Sequence, residues 1–323
     1  MEMLVSADQV RSTVLALPEM AVWPELVDLL TQEGDQPRVD WQLPALACQA
    51  VGGDPALALP AVGAIACIKL SYILADGILD EDPQGDHQRM GTGRAANLAL
   101  GLLAAAFALI GRCQVDEQTR ARLTASLTEM ALVGAMGQEL DAQNRPGEAN
   151  YWKVVRAKGS PFYAGSMEMG ALMGGADAML ARGLYDFGTI LGEMVQLYDD
   201  LEDAFKTPAA PDWRRGQNNL LILYAQTADH PQRERFIRLL PYVGDSQALQ
   251  AAQEILIRSG AVSYCVYHLL ERYRACRRLL KRLDLANPAL LWDLLMTTQV
   301  EPLRRWLDMI GVAMPPDLVE RPL

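Results

Sequence analysis

The chain has 323 residues, half of them hydrophobic and 21% charged. That is enough apolar material for a large buried core, and it excludes a wholly disordered polymer. Acidic residues outnumber basic ones by 40 to 29, for a formal charge of −11, which argues against sequence-independent binding to nucleic-acid phosphates.

From the amino terminus, MEMLVSADQV carries Glu2 where a secretory leader would be cationic, so no leader is expected. Pro/Gly/Asp clusters at 34–37, 82–85, 144–147 and 208–211 punctuate long segments rich in Ala, Leu, Met, Glu and Arg. Residues 55–68 and 95–111 are strongly apolar, but neither clearly reaches the roughly 18–20 residues of a spanning helix. Both are expected as core helices, with no transmembrane segment. Near the carboxyl end, Arg272, Arg274, Arg277, Arg278, Lys281 and Arg282 read as a solvated face, with Leu279, Leu280 and Leu283 turned inward. The cysteines (Cys48, Cys67, Cys113, Cys265 and Cys276) are odd in number and form no CxxC pair. They are expected to be reduced and buried, in a cytoplasmic protein. No alternating run bounded by hairpin turns predicts a strand. The pattern predicts an all-α fold, a single domain over 1–323 in which ten or more helices pack on one another.

Two acidic clusters break the rule that helix charges face water. In the first, Asp76-Gly77-Ile78-Leu79-Asp80-Glu81-Asp82, Asp76 and Asp80 are four apart and share a helical face. In the second, Gln196, Asp199, Asp200 and Asp203 form a stripe at i, i+3, i+4 and i+7. Like charges at that spacing repel unless something cationic offsets them. An all-oxygen donor set suits Mg²⁺, which binds one or two carboxylates and completes its shell with phosphate and water. Either cluster alone is equally compatible with an acidic, solvated helix end; both together, each within an apolar segment, point to a Mg²⁺–diphosphate site. Other motifs are weaker. Gly91-Thr92-Gly93-Arg94-Ala95-Ala96 fits GxGxxA but follows no strand, and His87, His230 and His268 have no zinc spacing. Met167, Met169 and Met173 read as core filler.

The two aspartate motifs, about 120 residues apart, resemble those of the all-trans isoprenyl diphosphate synthases, or polyprenyl synthetases, within the class I isoprenoid synthases. The resemblance extends in order over residues 34–226. It includes Leu46 to Gly53, Gly137-Gln138-Glu139-Leu140-Asp141, Tyr151 to Lys158, Gly170 to Gly175, and Asp212 to Ala225. It implies a helical bundle with a central cavity and a homodimer. It also implies that an allylic prenyl diphosphate is ionised and condensed with isopentenyl diphosphate. By the same resemblance, Asp76, Asp80, Asp199, Asp200 and Asp203 are the metal ligands. Lys158 and Gln196 join Asp76, Asp80 and Asp199 as catalytic residues. Arg38, Lys69, Arg89 and Lys206 bind substrate, and Tyr72, four residues before Asp76, sits where the prenyl tail would descend.

The departures are specific. Gly77 stands where the family has an aspartate, and Glu81, on the next turn, is a candidate replacement. Pro37 and Asp40 replace cations around Arg38, Gln84 and Gly85 replace two arginines, Lys69 replaces a histidine, and Gln217 replaces a lysine. These losses thin the isopentenyl diphosphate half more than the ionising half. Two alternatives therefore stay open: a terpene-synthase-like enzyme that uses no isopentenyl diphosphate, and a non-catalytic homologue. A di-iron carboxylate bundle is excluded by the lack of any ExxH pair.

Overall fold

The computed structural model describes residues 4–32, 38–215 and 219–312. The predicted turn at 34–37, with Pro37, and the Gln217 position lie outside the described residues. Every regular element among the described residues is a helix. The first four are α1 (Ala7–Leu15), α2 (Pro18–Ala21), α3 (Pro24–Gln32) and α4 (Leu43–Ala50). The middle of the chain forms α5 (Leu59–Leu79), α6 (Asp86–Met90), α7 (Thr92–Gly111), α8 (Glu117–Ala142), α9 (Glu148–Lys158) and α10 (Ser160–Met173). Then follow α11 (Ala178–Phe205), α12 (Asp212–Arg215), α13 (Leu220–Thr227), α14 (Arg233–Leu239) and α15 (Ser246–Arg258). The last are α16 (Ala261–Leu280), α17 (Pro288–Leu295) and α18 (Glu301–Met309), with a π-helical turn at Met296–Val300 between them.

Local chemistry sets many of the boundaries. Ser6 caps α1 in a reciprocal capping box with Gln9, and Asp245 caps α15. Prolines stand in the first turns of α2, α4 and α5, where a missing N–H costs nothing.

Packing divides the chain into two compact units: Met1–Ala135, Pro161–Thr189 and Leu279–Leu294 in one, Met136–Ser160, Ile190–Arg278 and Leu295–Leu323 in the other. The first is organised on α5, which buries Val62, Ile65, Cys67, Ile68, Leu70 and Leu74 and packs against α1, α4, α6 and α7. Each such aliphatic side chain contributes about 1.5–3 kcal/mol. α5 and α7 are each long and apolar enough to cross a membrane. α5 is mostly buried, as expected of a core helix. α7 buries only one face, through Leu98, Leu102, Ala106 and Leu109, and leaves Ala96, Leu100, Ala104 and Ala108 exposed.

The second unit packs α9, the latter part of α11, α13, α15 and α16 around Tyr151, Leu197, Leu201, Leu221, Leu256, Cys265 and Tyr273, all at most 1% exposed. All five cysteines are buried and free, and Met167, Met169 and Met173 are core residues.

Candidate functional site

In the first unit the apolar run of α5 delivers Asp76, half-buried, to its last turn. The helix stops at Leu79 with Asp80 as its C-cap. The Glu81 amide turns back to the Ile78 carbonyl at 3.3 Å and the Asp82 amide to the Gly77 carbonyl at 3.0 Å, closing the end. Glu81 sits at φ 51°, a left-handed position, with its side chain exposed. It therefore leaves the helix just past its C-cap and does not extend the face of Asp76 and Asp80. Gly77 looks instead onto His87, whose Nδ1 is 3.5 Å from where a Cβ would stand. His87 is 7% exposed, and that Nδ1 has no hydrogen-bond partner. Arg89 pairs with Asp86 of its own short helix at 3.1 Å.

Two of this unit's candidate substrate-binding cations meet on one carboxylate, Asp40. Asp40 receives Arg38 Nε on one oxygen and Lys69 Nζ on the other, each at 3.4 Å. Lys69 also lies over the Phe162 ring, 4.9 Å from its centre. Tyr72, one turn before Asp76, donates its hydroxyl to the Met130 carbonyl on α8 at 2.5 Å.

In the second unit, α11 splits its acidic stripe. Asp199 is exposed, Asp203 is half-buried and Asp200 is 1% exposed. Asp200 Oδ2 accepts the Tyr151 hydroxyl at 2.7 Å and the Leu220 amide at 2.8 Å, while Oδ1 accepts the Gln196 amide at 3.0 Å. Asn219 donates to the Asp200 carbonyl at 2.9 Å and to Asp212 at 3.1 Å, and its own oxygen caps α13. Asp200 thus ties α9, α11 and α13 together. Burial pushes its carboxyl up to about 8, with the nearby Asp212 charge adding to the shift and the three donors opposing it. Asp212 is raised to about 6, chiefly by burial. Asp200, expected among the metal ligands, is almost wholly buried here, and both its oxygens accept from protein donors. Gln196 spends its amide nitrogen on the same anchor.

Lys158, the last residue of α9, meets Asp141 Oδ2 at 2.5 Å. Gly137 explains how: a Cβ there would stand 2.4 Å from the Ala157–Lys158 peptide, so only glycine lets α8 run this close. Asp141, one turn further along α8, is thereby brought to the lysine. Lys206, just past α11, reaches Asp203 at 2.5 Å, and this hydrogen bond is the main reason its pKa rises. Arg272 departs from the solvated face expected of the basic cluster. Its side chain is 13% exposed, pairs with Glu193 at 2.8 Å and stacks on Trp152 at 4.3 Å.

Among the described residues, no three carboxylate, imidazole or thiolate side chains converge to hold a metal. The available donors are hard carboxylate oxygens, which fits Mg²⁺ bound by one or two protein oxygens with phosphate and water supplying the rest.

The described residues form an all-α fold of the isoprenoid-synthase type. More narrowly, residues 38–256 match the polyprenyl synthetase family, and the chain belongs to it. A short chain isoprenyl diphosphate synthase from Methanothermobacter thermautotrophicus is 28% identical over 272 residues, covering 79% of this chain and 82% of its own. An octaprenyl diphosphate synthase from Haemophilus influenzae is 22% identical over 72% of this chain and 74% of its own. In three dimensions the chain resembles a geranylgeranyl pyrophosphate synthetase from Pyrococcus horikoshii, with TM-score 0.76 and 19% identity over 98% of this chain and 96% of the other.

Sequence reasoning missed the supports of these residues. Tyr151, Asn219, Asp212 and Asp141 hold or surround the second motif, through partners up to 49 positions away in the chain. One signal was available for Asp200. It lies three residues after Leu197 and four before Ala204, within the arc that those buried residues define.

Proposed function

We propose that the protein is a Mg²⁺-dependent prenyl diphosphate synthase, which ionises an allylic prenyl diphosphate and condenses it with isopentenyl diphosphate. The observation that carries the reading is the second motif, in a member of the polyprenyl synthetase family. One aspartate is buried as an anchor, and its neighbour Asp199 and the half-buried Asp203 remain accessible on the same helix. Bound Mg²⁺ would neutralise the departing diphosphate as a Lewis acid, with Asp76, Asp80, Asp199 and Asp203 as the candidate ligands. Lys158 and Lys206, each held by a carboxylate, are the cations assigned to diphosphate oxygens.

A second reading, ionisation without isopentenyl diphosphate, is favoured by Asp40. A carboxylate between Arg38 and Lys69 already neutralises cations that a second diphosphate would need. Incubation with Mg²⁺ and C5 to C15 allylic diphosphates, with and without isopentenyl diphosphate, separates the readings. Elongated diphosphates support the first. Hydrocarbon or alcohol products that do not depend on isopentenyl diphosphate support the second, and no released pyrophosphate in any mixture overturns both.

We place the protein in the cytoplasm, which its free, buried cysteines support. We also infer a homodimer. Its support is the exposed stripe of Ala96, Leu100, Ala104 and Ala108, spaced at one helical turn along α7 with no charge between Arg94 and Arg112.

A further inference from the structure

α9 and α16 carry side chains at matching intervals of four: Glu148, Trp152 and Arg156 on one, Tyr264, His268 and Arg272 on the other. They meet rung by rung. Glu148 Oε1 accepts the Tyr264 hydroxyl at 2.8 Å and the Trp152 indole N–H at 2.9 Å. The Trp152 and His268 rings lie 4.9 Å apart, centre to centre. The Arg272 guanidinium lies over the same tryptophan at 4.3 Å. The last rung takes in a third helix. Glu193 of α11 accepts Arg272 Nε on Oε2 at 2.8 Å and Arg156 Nε on Oε1 at 3.2 Å. The Arg272 and Glu193 side chains are each 13% exposed, whereas that of Arg156 is 64% exposed. The enclosed arginine of this clasp is Arg272.

A nearly buried ion pair is a poor source of net stability, because desolvation of both charges offsets their attraction. What a fixed guanidinium supplies is geometry, since its planar fork stacks on one side chain and donates to another in a single orientation. Here those two side chains belong to the helices that carry the second site. Trp152 adjoins Tyr151, which bonds the buried Asp200, and α9 ends in Lys158. Glu193 precedes Asp199 and Asp203 on α11. Slippage of α9 against α11 would move the lysine relative to both carboxylates.

We propose that Arg272 is a positioning residue of the diphosphate site. By holding Trp152 and Glu193 at once, it sets α9 against α11 and so places the Lys158 ammonium relative to Asp199 and Asp203. The proposal rests on the prenyl diphosphate reading and adds a residue on a further helix that acts through Lys158. Its removal should therefore matter only while Lys158 is present.

The test is calorimetric titration with inorganic pyrophosphate in excess Mg²⁺, with urea unfolding to verify that each protein is folded. The parent, Arg272→Met, Lys158→Met and the double variant are compared. Methionine keeps an apolar stem against Trp152 and removes the fork. Arg272→Met should weaken pyrophosphate binding by about tenfold, and the double variant should bind as Lys158→Met alone does. An arginine with a merely structural role would weaken binding by the same factor in both backgrounds. That result, or unchanged affinity in Arg272→Met, overturns the proposal and leaves the prenyl diphosphate reading standing. A parent that binds no pyrophosphate overturns both. Should Arg272→Met fail to fold, Glu193→Gln decides in the same cycle. A loss that disappears in the Lys158→Met background supports the clasp; a loss repeated there, or none at all, overturns it.

Discussion

The two aspartate motifs look alike on paper and are built differently. The second lies in the closing turns of a 28-residue helix, with Asp200 buried beneath it and bonded to Tyr151, Gln196 and Leu220. The first lies at a helix end: Asp80 is the cap, Glu81 has left the helix, and Gly77 faces a buried histidine nitrogen with no partner. Rigidity in the second motif comes from a carboxylate that never reaches solvent. In the first, the nearby cations are either paired within a short helix, as Arg89 is, or gathered on Asp40. The contrast teaches that a carboxylate's place in a motif does not decide its task. Burial and donor count do.

The largest effect should come from removing the anchor. Asp200→Ala strands a tyrosine hydroxyl, a backbone amide and a glutamine amide in the interior, and we expect a loss of about 2–4 kcal/mol in denaturant unfolding. Asp200→Asn, which keeps the shape and can pair with a turned Gln196 amide, should lose less than half as much. Equal losses in the two variants would remove the distinction between anchor and ligand.

Next in size is a pH dependence. Asp200 has an ordinary carboxylate pKa in the unfolded chain and one of about 8 in the folded protein. Between those values the folded state holds a proton that the unfolded state has released. Stability therefore falls as pH rises through that window and levels off above about 8. From pH 6 to 8 the metal-free protein should lose on the order of 2 kcal/mol. Asp212, raised to about 6, adds a slope of the same sign mainly at lower pH. Urea midpoints of Asp200→Asn should be flat from pH 6 to 8; a slope like the parent's would assign the effect elsewhere.

The all-helical architecture was legible because helical periodicity and helix-forming residues run almost throughout, with Pro/Gly/Asp clusters such as 82–85 marking breaks. The acidic residues were legible as a set. Their division of labour was not, because it depends on partners distant in sequence: Asp200 on Leu220, Lys158 on Asp141, and Arg272 on Glu193, 79 residues away. The close approach of Tyr72 to Gly134 was invisible for the same reason, since nothing within α8 says that the tyrosine will lie against it.

A smaller effect is expected in the first unit. Asp40→Asn removes the counter-charge shared by Arg38 and Lys69 while preserving the side chain's shape. Binding of isopentenyl diphosphate should tighten by about tenfold, the order of one charge-assisted contact in a half-exposed site. Unchanged affinity in a titration would show that these cations do not serve that ligand. Smallest of all, Gly77→Ala should raise stability by about 1 kcal/mol. It removes a helical glycine, and its Cβ has room 3.5 Å from His87 Nδ1. A lower melting temperature would mean that the glycine is required for another reason.

The most direct test of the division of labour in the second motif is thermal stabilisation by Mg²⁺ together with inorganic pyrophosphate. In the parent the pair should raise the melting temperature by more than the sum of either alone, because only the folded site binds them jointly. Asp199→Ala should abolish that synergy and Asp200→Asn should retain it. Synergy that survives in Asp199→Ala and vanishes in Asp200→Asn would reverse the roles assigned to the exposed and the buried aspartate.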